Sequence, residues 1–385
     1  MRYRGKHNNS QIEIFLHMNY SWILFALVAF DLHSQSGTAR MDFDRKDTYI
    51  SSDTVVANSS ESAEYCTARV LDYSPTKLVS VAYDYQGPFT LMSDTLSNSA
   101  YDTVVWNPQS TRFNALSTVR VFSSIPVIVK KNIILQVGFQ FSRVKYQGAD
   151  ASASGGMTQP VHSALSANGL RSVGLHSTLF KPINERNFFV AQVAGDLNGD
   201  YKFSNMLPLK YTRFSAAFIV GWKKSERKIF GFGISRSFRI GQLSYFPVVL
   251  FNWTAMNRKW GVEILAPSKA AVRRTINSKN LLLLGYDMEG QSYHLSRNGK
   301  YDEQSDHLEL RRSELRFKLT YEFSIYKLLW MSVQAGYRYN LAFNVDSYSG
   351  TNDIFRGFTG DQPYVQQTRL TNTTYAMISL NLVSP

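Results

Sequence analysis

The sequence predicts an all-β fold: a transmembrane antiparallel up-and-down β-barrel of about 14 strands, with about 12 as the alternative count. Three observations predict it. Long segments alternate apolar and polar residues with period two, the pattern of a strand with two unlike faces. The connections between those segments alternate mostly short and long. The composition, at 44% hydrophobic, 14% aromatic and 18% charged, is thin in charge and rich in rings.

The composition also excludes several classes. Ordinary globular proteins carry roughly a quarter charged residues, and disordered chains carry few aromatics. The 22 Tyr, 25 Phe and 6 Trp of this chain therefore rule out disorder. A mean hydropathy of -0.22 and the lack of a 20-residue apolar run beyond the N-terminus rule out a bundle of membrane helices. A single cysteine, Cys66, leaves no disulfide framework and no cysteine-based metal site. The net charge of +13 would suit nucleic acid if the basic residues clustered. They occur only as scattered pairs such as Lys130-Lys131 and Arg311-Arg312, so no nucleic-acid partner is expected.

Residues 1–34 read as a secretory signal peptide. Arg2, Arg4 and Lys6 precede the apolar stretch Trp22–Phe30, and cleavage is expected near Ser34–Gln35. Nine strongly apolar residues are too few to cross about 30 Å of hydrocarbon as a helix. Residues 35–76 are polar and rich in Ser and Asp, and read as a periplasmic lead-in or a partial plug of the lumen. Residues 77–385 are the expected barrel.

Its strands are expected at 77–86, 112–124, 131–147, 170–182, 186–197, 211–223 and 227–237. The second half supplies 242–253, 259–266, 269–276, 279–296, 307–324, 327–344 and 370–383. The clearest is Leu315–Ile325, where Leu315, Phe317, Leu319, Tyr321 and Phe323 alternate with Arg316, Lys318, Thr320 and Glu322. The next segment repeats the pattern, setting Met331, Val333, Ala335, Tyr337, Tyr339, Leu341 and Phe343 against Ser332, Gln334, Arg338 and Asn340. Only Ser324–Lys327 separates the two, which predicts a hairpin. Ile133–Ser142, Phe214–Trp222, Leu282–Met288 and Ala376–Leu382 alternate likewise. Trp253, Trp260, Trp330, Tyr337 and Tyr339 are placed to form interfacial girdles.

The connections 87–111, 148–169, 198–210, 297–306 and 345–369 are long, whereas 125–130, 183–185, 224–226 and 325–326 are short. With both chain ends in the periplasm, every long loop falls outside, as outer-membrane barrels require. The stretch 238–278 is the exception: its strands are short and Pro247 and Pro267 interrupt it. It is the source of the alternative count.

Chemical motifs are sparse. Asp196-Leu197-Asn198-Gly199-Asp200 lacks the spaced acids and terminal Glu of a calcium loop, and its Asn-Gly pair reads as a turn. Gly231-Phe232-Gly233 lacks the third glycine of a phosphate-binding loop. His176, His294 and His307 have no metal-ligand spacing, and no GxSxG elbow occurs. Arg273-Arg274 reads as one lumen-facing and one interfacial side chain. No catalytic, cofactor-binding or metal residue is expected.

The order of GFGISR from Gly231, Tyr245-Phe246-Pro247, Trp260-Gly261-Val262-Glu263, Leu283-Leu284-Gly285-Tyr286 and Gly290-Gln291-Ser292-Tyr293 carries a resemblance. Arg312-Ser313-Glu314-Leu315-Arg316 and Gly336-Tyr337-Arg338-Tyr339-Asn340 extend it. Together they resemble an uncharacterised outer-membrane barrel family of Bacteroidetes-type bacteria, a domain of unknown function. The resemblance implies a location in the outer membrane and brings no activity.

The expected function is accordingly that of a non-enzymatic outer-membrane barrel that transports a specific ligand or serves envelope structure. Two alternatives belong to other classes: an outer-membrane enzyme acting on lipid or lipopolysaccharide, and a soluble secreted glycan-binding β-protein. The expected lumen-lining residues are Glu263, Glu314, Arg316, Lys318, Glu322 and Arg338. Their mixed charge predicts a mostly closed lumen, since a one-signed constriction is what an ion pore wants. The loop 345–369, with Gly350, Gly357 and Gly360, is a candidate to fold over the mouth. The expected partners are outer-membrane lipid, lipopolysaccharide and the barrel-assembly machinery.

Overall fold

A computed structural model describes residues 65–67, 69–95, 107–152, 159–204, 206–238, 244–296, 308–347 and 366–384. The signal peptide read at 1–34, the lead-in from 35 to 64, His307 and the loop glycines Gly350, Gly357 and Gly360 lie outside the described residues.

The chain forms one antiparallel sheet that closes on itself. Fourteen strands make the wall. They are β1 (Lys77–Gln86), β3 (Gln109–Lys130), β4 (Ile133–Ser152), β5 (Leu170–Pro182), β6 (Asn187–Gly199), β7 (Arg213–Ser225) and β8 (Lys228–Ser237), followed by β9 (Ser244–Thr254), β10 (Trp260–Ala266), β11 (Lys269–Asn277), β12 (Asn280–Leu295), β13 (Leu308–Tyr326), β14 (Leu329–Ser347) and β16 (Thr373–Val383). Each pairs with its neighbour in the chain, and β1 closes the ring by pairing with β3 on one edge (Tyr83↔Val119) and β16 on the other (Tyr83↔Ile378). Two short strands, β2 (Phe89–Ser93) and β15 (Thr368–Leu370), pair with each other and lengthen the wall above β1 and β16. Pro88, which lacks an N–H, lies in the gap between β1 and β2.

Turns of two to five residues join the strands at one end, here the lower end, which also holds the start of β1 and the finish of β16. The upper end carries the long connections, with one exception at Pro267-Ser268. The β13–β14 turn is Lys327-Leu328 rather than 325–326, because β13 continues to Tyr326 and Lys327 supplies the left-handed residue (φ 37°). Pro247 sits inside β9 without cost: the last β9–β10 pair is Val249↔Ala266, so beyond it β9 has an open edge that calls for no donor.

The outer face is apolar around the ring. Val81, Leu175, Phe218, Leu284, Phe317 and Leu380 all project from the wall, Leu175 and Leu284 more than 60% exposed at 64% and 63%. So large a continuous apolar surface is tolerated only against another apolar phase. Closed sheets alone leave no unpaired edge there, and this is a transmembrane barrel. Trp253, Trp260, Tyr337 and Tyr339 lie on this outer face.

Two aromatics expected outside are inside. Trp330 shares the inward face with Ser332 and Gln334 and packs on Leu281 and Val383. Phe343 turns inward because a bulge opposite Ser313/Glu314 inserts one residue into β14 and reverses the facing above it.

Candidate functional site: the barrel interior

The interior is built in three tiers. The middle tier follows from the alternation on β13, which sends Arg312, Glu314, Arg316 and Lys318 to one side. Arg338 on β14 meets Asp84 on β1 at 2.7 Å, both fully buried, and also bonds Gln86. Its Nε lies 3.4 Å from Glu314, which Arg312 holds at 2.7 Å. Arg316 pairs with Glu289 of β12, and Arg120 of β3 reaches the same carboxylate at 2.8 Å. The Tyr375 ring lies 5.1 Å from the Arg338 guanidinium and 5.7 Å from that of Arg316. Four arginines thus share three carboxylates, Asp84, Glu289 and Glu314, and brace the half of the barrel from β12 round to β3.

The remaining expected lumen residues lie apart from this cluster. Lys318 pairs with Asp287 beside it. Glu322 lies lower, 2.8 Å from Lys77. Glu263 is on the opposite wall, 2.9 Å from the fully buried Arg273 and accepting from Ser74 Oγ at 2.8 Å. Arg274, the neighbour of Arg273, points outward, with its guanidinium 5.3 Å from the Trp260 ring.

Sequence reading missed Asp84, Arg120, Glu289 and Arg312. The signal for Asp84 was present: Val81, Tyr83 and Tyr85 alternate with Ala82, Asp84 and Gln86.

Beside the charged tier, between β3–β10 and β12, lies a cavity of about 370 Å³. Its lining includes Gln140, His176, Asp196 and Asn198 on one side and Glu289 and Arg312 on the other. Of the run Asp196–Asp200, read as a turn, Asp196–Gly199 is instead the upper end of β6. It is held extended because β5 pairs with it as far as Gly199 and β12 touches it at His294. Asp196 and Asn198 thereby enter the cavity wall.

The upper tier is a plug. The helix α1 (Pro160–Ala167) starts with proline in its first turn, where no N–H is needed, and stops at Gly169, whose φ of 65° favours glycine. Val161, Ala164 and Leu165, spaced for one helix face, are buried in an apolar cluster with Leu116, Leu308, Leu310 and Phe343. His162 fastens α1, with Nε2 2.7 Å from Ser93 Oγ and Nδ1 2.6 Å from Thr111 Oγ1. Burial lowers its pKa to about 4, so the ring is neutral at physiological pH. Gln159 adds bonds to Ser93, Gln109 and Gln366.

The lower tier is made by residues 65–67 and 69–76. Cys66 and Val70 pack against Phe180, Phe188 and Ile229, with Tyr73 beside them. The segment runs across the lower mouth and is held from several strands in turn. Cys66 N–H donates to Asn184 O at 3.2 Å and Leu71 N–H to Glu226 O at 2.8 Å. Thr254 Oγ1 donates to Leu71 O at 2.7 Å. Gly221 leaves the space that the Phe188 ring fills, since a Cβ there would stand 2.2 Å from it.

Residues 158–381 match a protein family described as Domain of unknown function (DUF6268). The chain belongs to the DUF6268 family. The matched span takes in α1, the charged strand β13, its partners Glu289 and Arg338, and most of β16. Among curated proteins none matches the sequence. Solved structures similar to this DUF6268 chain include an outer membrane channel from Pseudomonas putida F1, at 11% identity and TM-score 0.32, covering 80% of this chain and 96% of that one. The Pseudomonas putida toluene transporter TodX is similar at 9% identity and TM-score 0.32, covering 83% and 95%. The outer membrane protease OmpT from Escherichia coli is similar at 9% identity and TM-score 0.28, covering 82% and 99%.

Proposed function

We propose that this DUF6268 chain is a non-enzymatic barrel of the Gram-negative outer membrane that takes a specific small ligand through a gated interior. The observation that carries the reading is the pair of closures, α1 above and residues 65–67 and 69–76 below, in a barrel whose interior keeps a cavity of about 370 Å³. A permanently open pore has no use for two apolar plugs. The buried carboxylates favour bracing over acid–base chemistry, because arginines hold Asp84 and Glu314 in ion pairs. Residues 1–34 act as the export signal, and the mature chain meets the barrel-assembly machinery and lipopolysaccharide on its way into the membrane.

Reconstitution in planar bilayers tests the reading. Brief or absent openings are expected from the intact protein. Large, steady, weakly selective conductance would identify an open porin and overturn it. Mass spectrometry of the protein extracted from outer membranes checks the export reading, which an intact Met1 would refute.

A further inference from the structure

The upper rim of the wall is not level. β10 has seven residues and β11 nine, against sixteen in β12 and nineteen in β13. The last β11–β12 pair is Lys269↔Asp287, and β12 runs on to Leu295. On the other flank Ser244–Val248 of β9 extend past the last pair with β10. The turn from Ala266 to Lys269 is therefore the floor of a notch between β9 and β12.

The depth of the notch follows from its lower anchor. Trp260 opens β10 on the outer face with the Arg274 guanidinium beside it, the aromatic and cation pairing of a membrane surface. From there β10 climbs roughly 20 Å along its own axis, or about 16 Å of height at a tilt near 40°. The apolar band of such barrels is about 25 Å tall. The notch floor thus lies within the hydrocarbon, in the upper leaflet.

The top of the notch is spanned. Gly199 at the end of β6 pairs with His294 near the end of β12, across the intervening strands. Asp200 accepts from Ser296 N–H at 2.8 Å and Ser296 Oγ at 2.6 Å, and Tyr211 stacks on His294 at 4.3 Å. Among the described residues, the gap beneath this bridge faces sideways into the membrane.

The cavity reaches that gap, for its lining includes Leu265 and Ser268 at the floor, Val248 on the β9 edge and Gly290 on the β12 edge. The far wall is polar: its carboxylate, Asp196, accepts from Gln140 Nε2, and neutral hydrogen-bonding atoms beside it are left open. His176 Nδ1, Asn198 Oδ1 and Thr118 Oγ1 are buried there without a partner. Stacking on Phe122 at 5.1 Å fixes the His176 ring. The nearby charges Arg120, Glu289, Arg312 and Glu314 are occupied with one another.

We propose that the notch is a lateral portal through which a small uncharged amphiphile passes between the upper leaflet and the cavity. Its apolar part lies against Val248 and Leu265, and its hydrogen-bonding head meets His176 and Asn198. The proposal rests on the gated-interior reading and adds the route and the ligand class.

The lone cysteine makes a clean test. In a Cys66→Ser background, Leu265→Cys is labelled with bimane and reconstituted into phosphatidylcholine carrying a doxyl group near the headgroup end of one acyl chain. Quenching at least twofold stronger than at a Ser379→Cys control is expected, with little quenching by aqueous iodide. The uncharged amphiphile N-phenyl-1-naphthylamine should bind the detergent-solubilised protein saturably, and Gly290→Trp should weaken that binding about tenfold. Ser268→Trp, at the notch floor, serves if the first variant does not fold. Quenching by iodide but not by doxyl lipid, or binding absent or unchanged in both Trp variants, overturns the portal. Those outcomes leave the bilayer result intact, whereas porin-like conductance strikes the gated reading itself.

Discussion

Arg120 on β3 and Glu289 on β12 meet at 2.8 Å, although four strands stand between them in the wall. An ion pair that spans such a chord pulls half the ring into a filled lobe and leaves the cavity to the other half. The same carboxylate also receives Arg316, and Asp84 lies 3.6 Å from both arginines. The charges act as one cross-brace of four arginines on three carboxylates.

Removing one member of that brace should cost far more than removing a matched pair. Arg338→Met leaves Asp84 fully buried without its 2.7 Å partner. Breaking a buried pair typically costs about 3–5 kcal/mol, whereas an apolar replacement of both partners is often neutral. Arg338→Met should lower the urea midpoint of the barrel in detergent, read by heat-modifiable gel migration. Adding Asp84→Leu should recover most of the loss. A double variant no better than the single would show that the network acts otherwise.

The two faces of β13 should differ in tolerance. Phe317 is 49% exposed on the lipid side, while Arg316 is buried in the lumen. An arginine facing the bilayer midplane costs about 2–4 kcal/mol. Phe317→Arg should therefore impair assembly into vesicles more than Arg316→Ala, whose partners Glu289 and Asp84 keep Arg120 and Arg338. Equal assembly of the two would refute the facing.

How much of this was legible in the sequence depends on distance along the chain. The wall was, because period two is a local property: Phe317 and Arg316 declare their faces without reference to any other strand. The even number of strands followed from loop lengths, which are also local. Phe343 was misread because a bulge in β14 changes the facing within a single strand, and nothing near Leu341 announces the extra residue. Arg120 and Glu289 could each be assigned to an inner face, but their meeting depends on how the sheet curls. The plug helix was lost inside a loop because eight residues from Pro160 to Ala167 are too few to show a period against polar flanks.

The lower closure should loosen when its acceptor is removed. Glu263 takes both the N–H and the hydroxyl of Ser74, at 3.1 and 2.8 Å, and also neutralises Arg273. Burial pushes the Cys66 thiol pKa up, which keeps it protonated and slow to react. Glu263→Ala should speed maleimide labelling of Cys66 about tenfold and lengthen single-channel openings. Unchanged labelling would show that residues 65–67 and 69–76 are held by their apolar contacts alone.

The upper closure should respond to acid. His162 is buried at the foot of α1 between two hydroxyls, with no carboxylate among its hydrogen-bond partners. Its pKa falls from the ordinary 6.5 to about 4 because burial disfavours the imidazolium. The detached helix would take up a proton near pH 6.5, the docked one only near pH 4. Docking is therefore fully stable above about pH 6.5 and loses stability as the pH falls from there towards 4, by up to about 3 kcal/mol. Amide exchange in α1, measured between pH 7 and pH 4.5 and corrected for the intrinsic rate, should accelerate over that window, while exchange in β13 stays flat. His162→Gln, which keeps hydrogen-bonding capacity without a titrating ring, should abolish the acceleration. A pH response that persists in this variant would assign the sensitivity to another group.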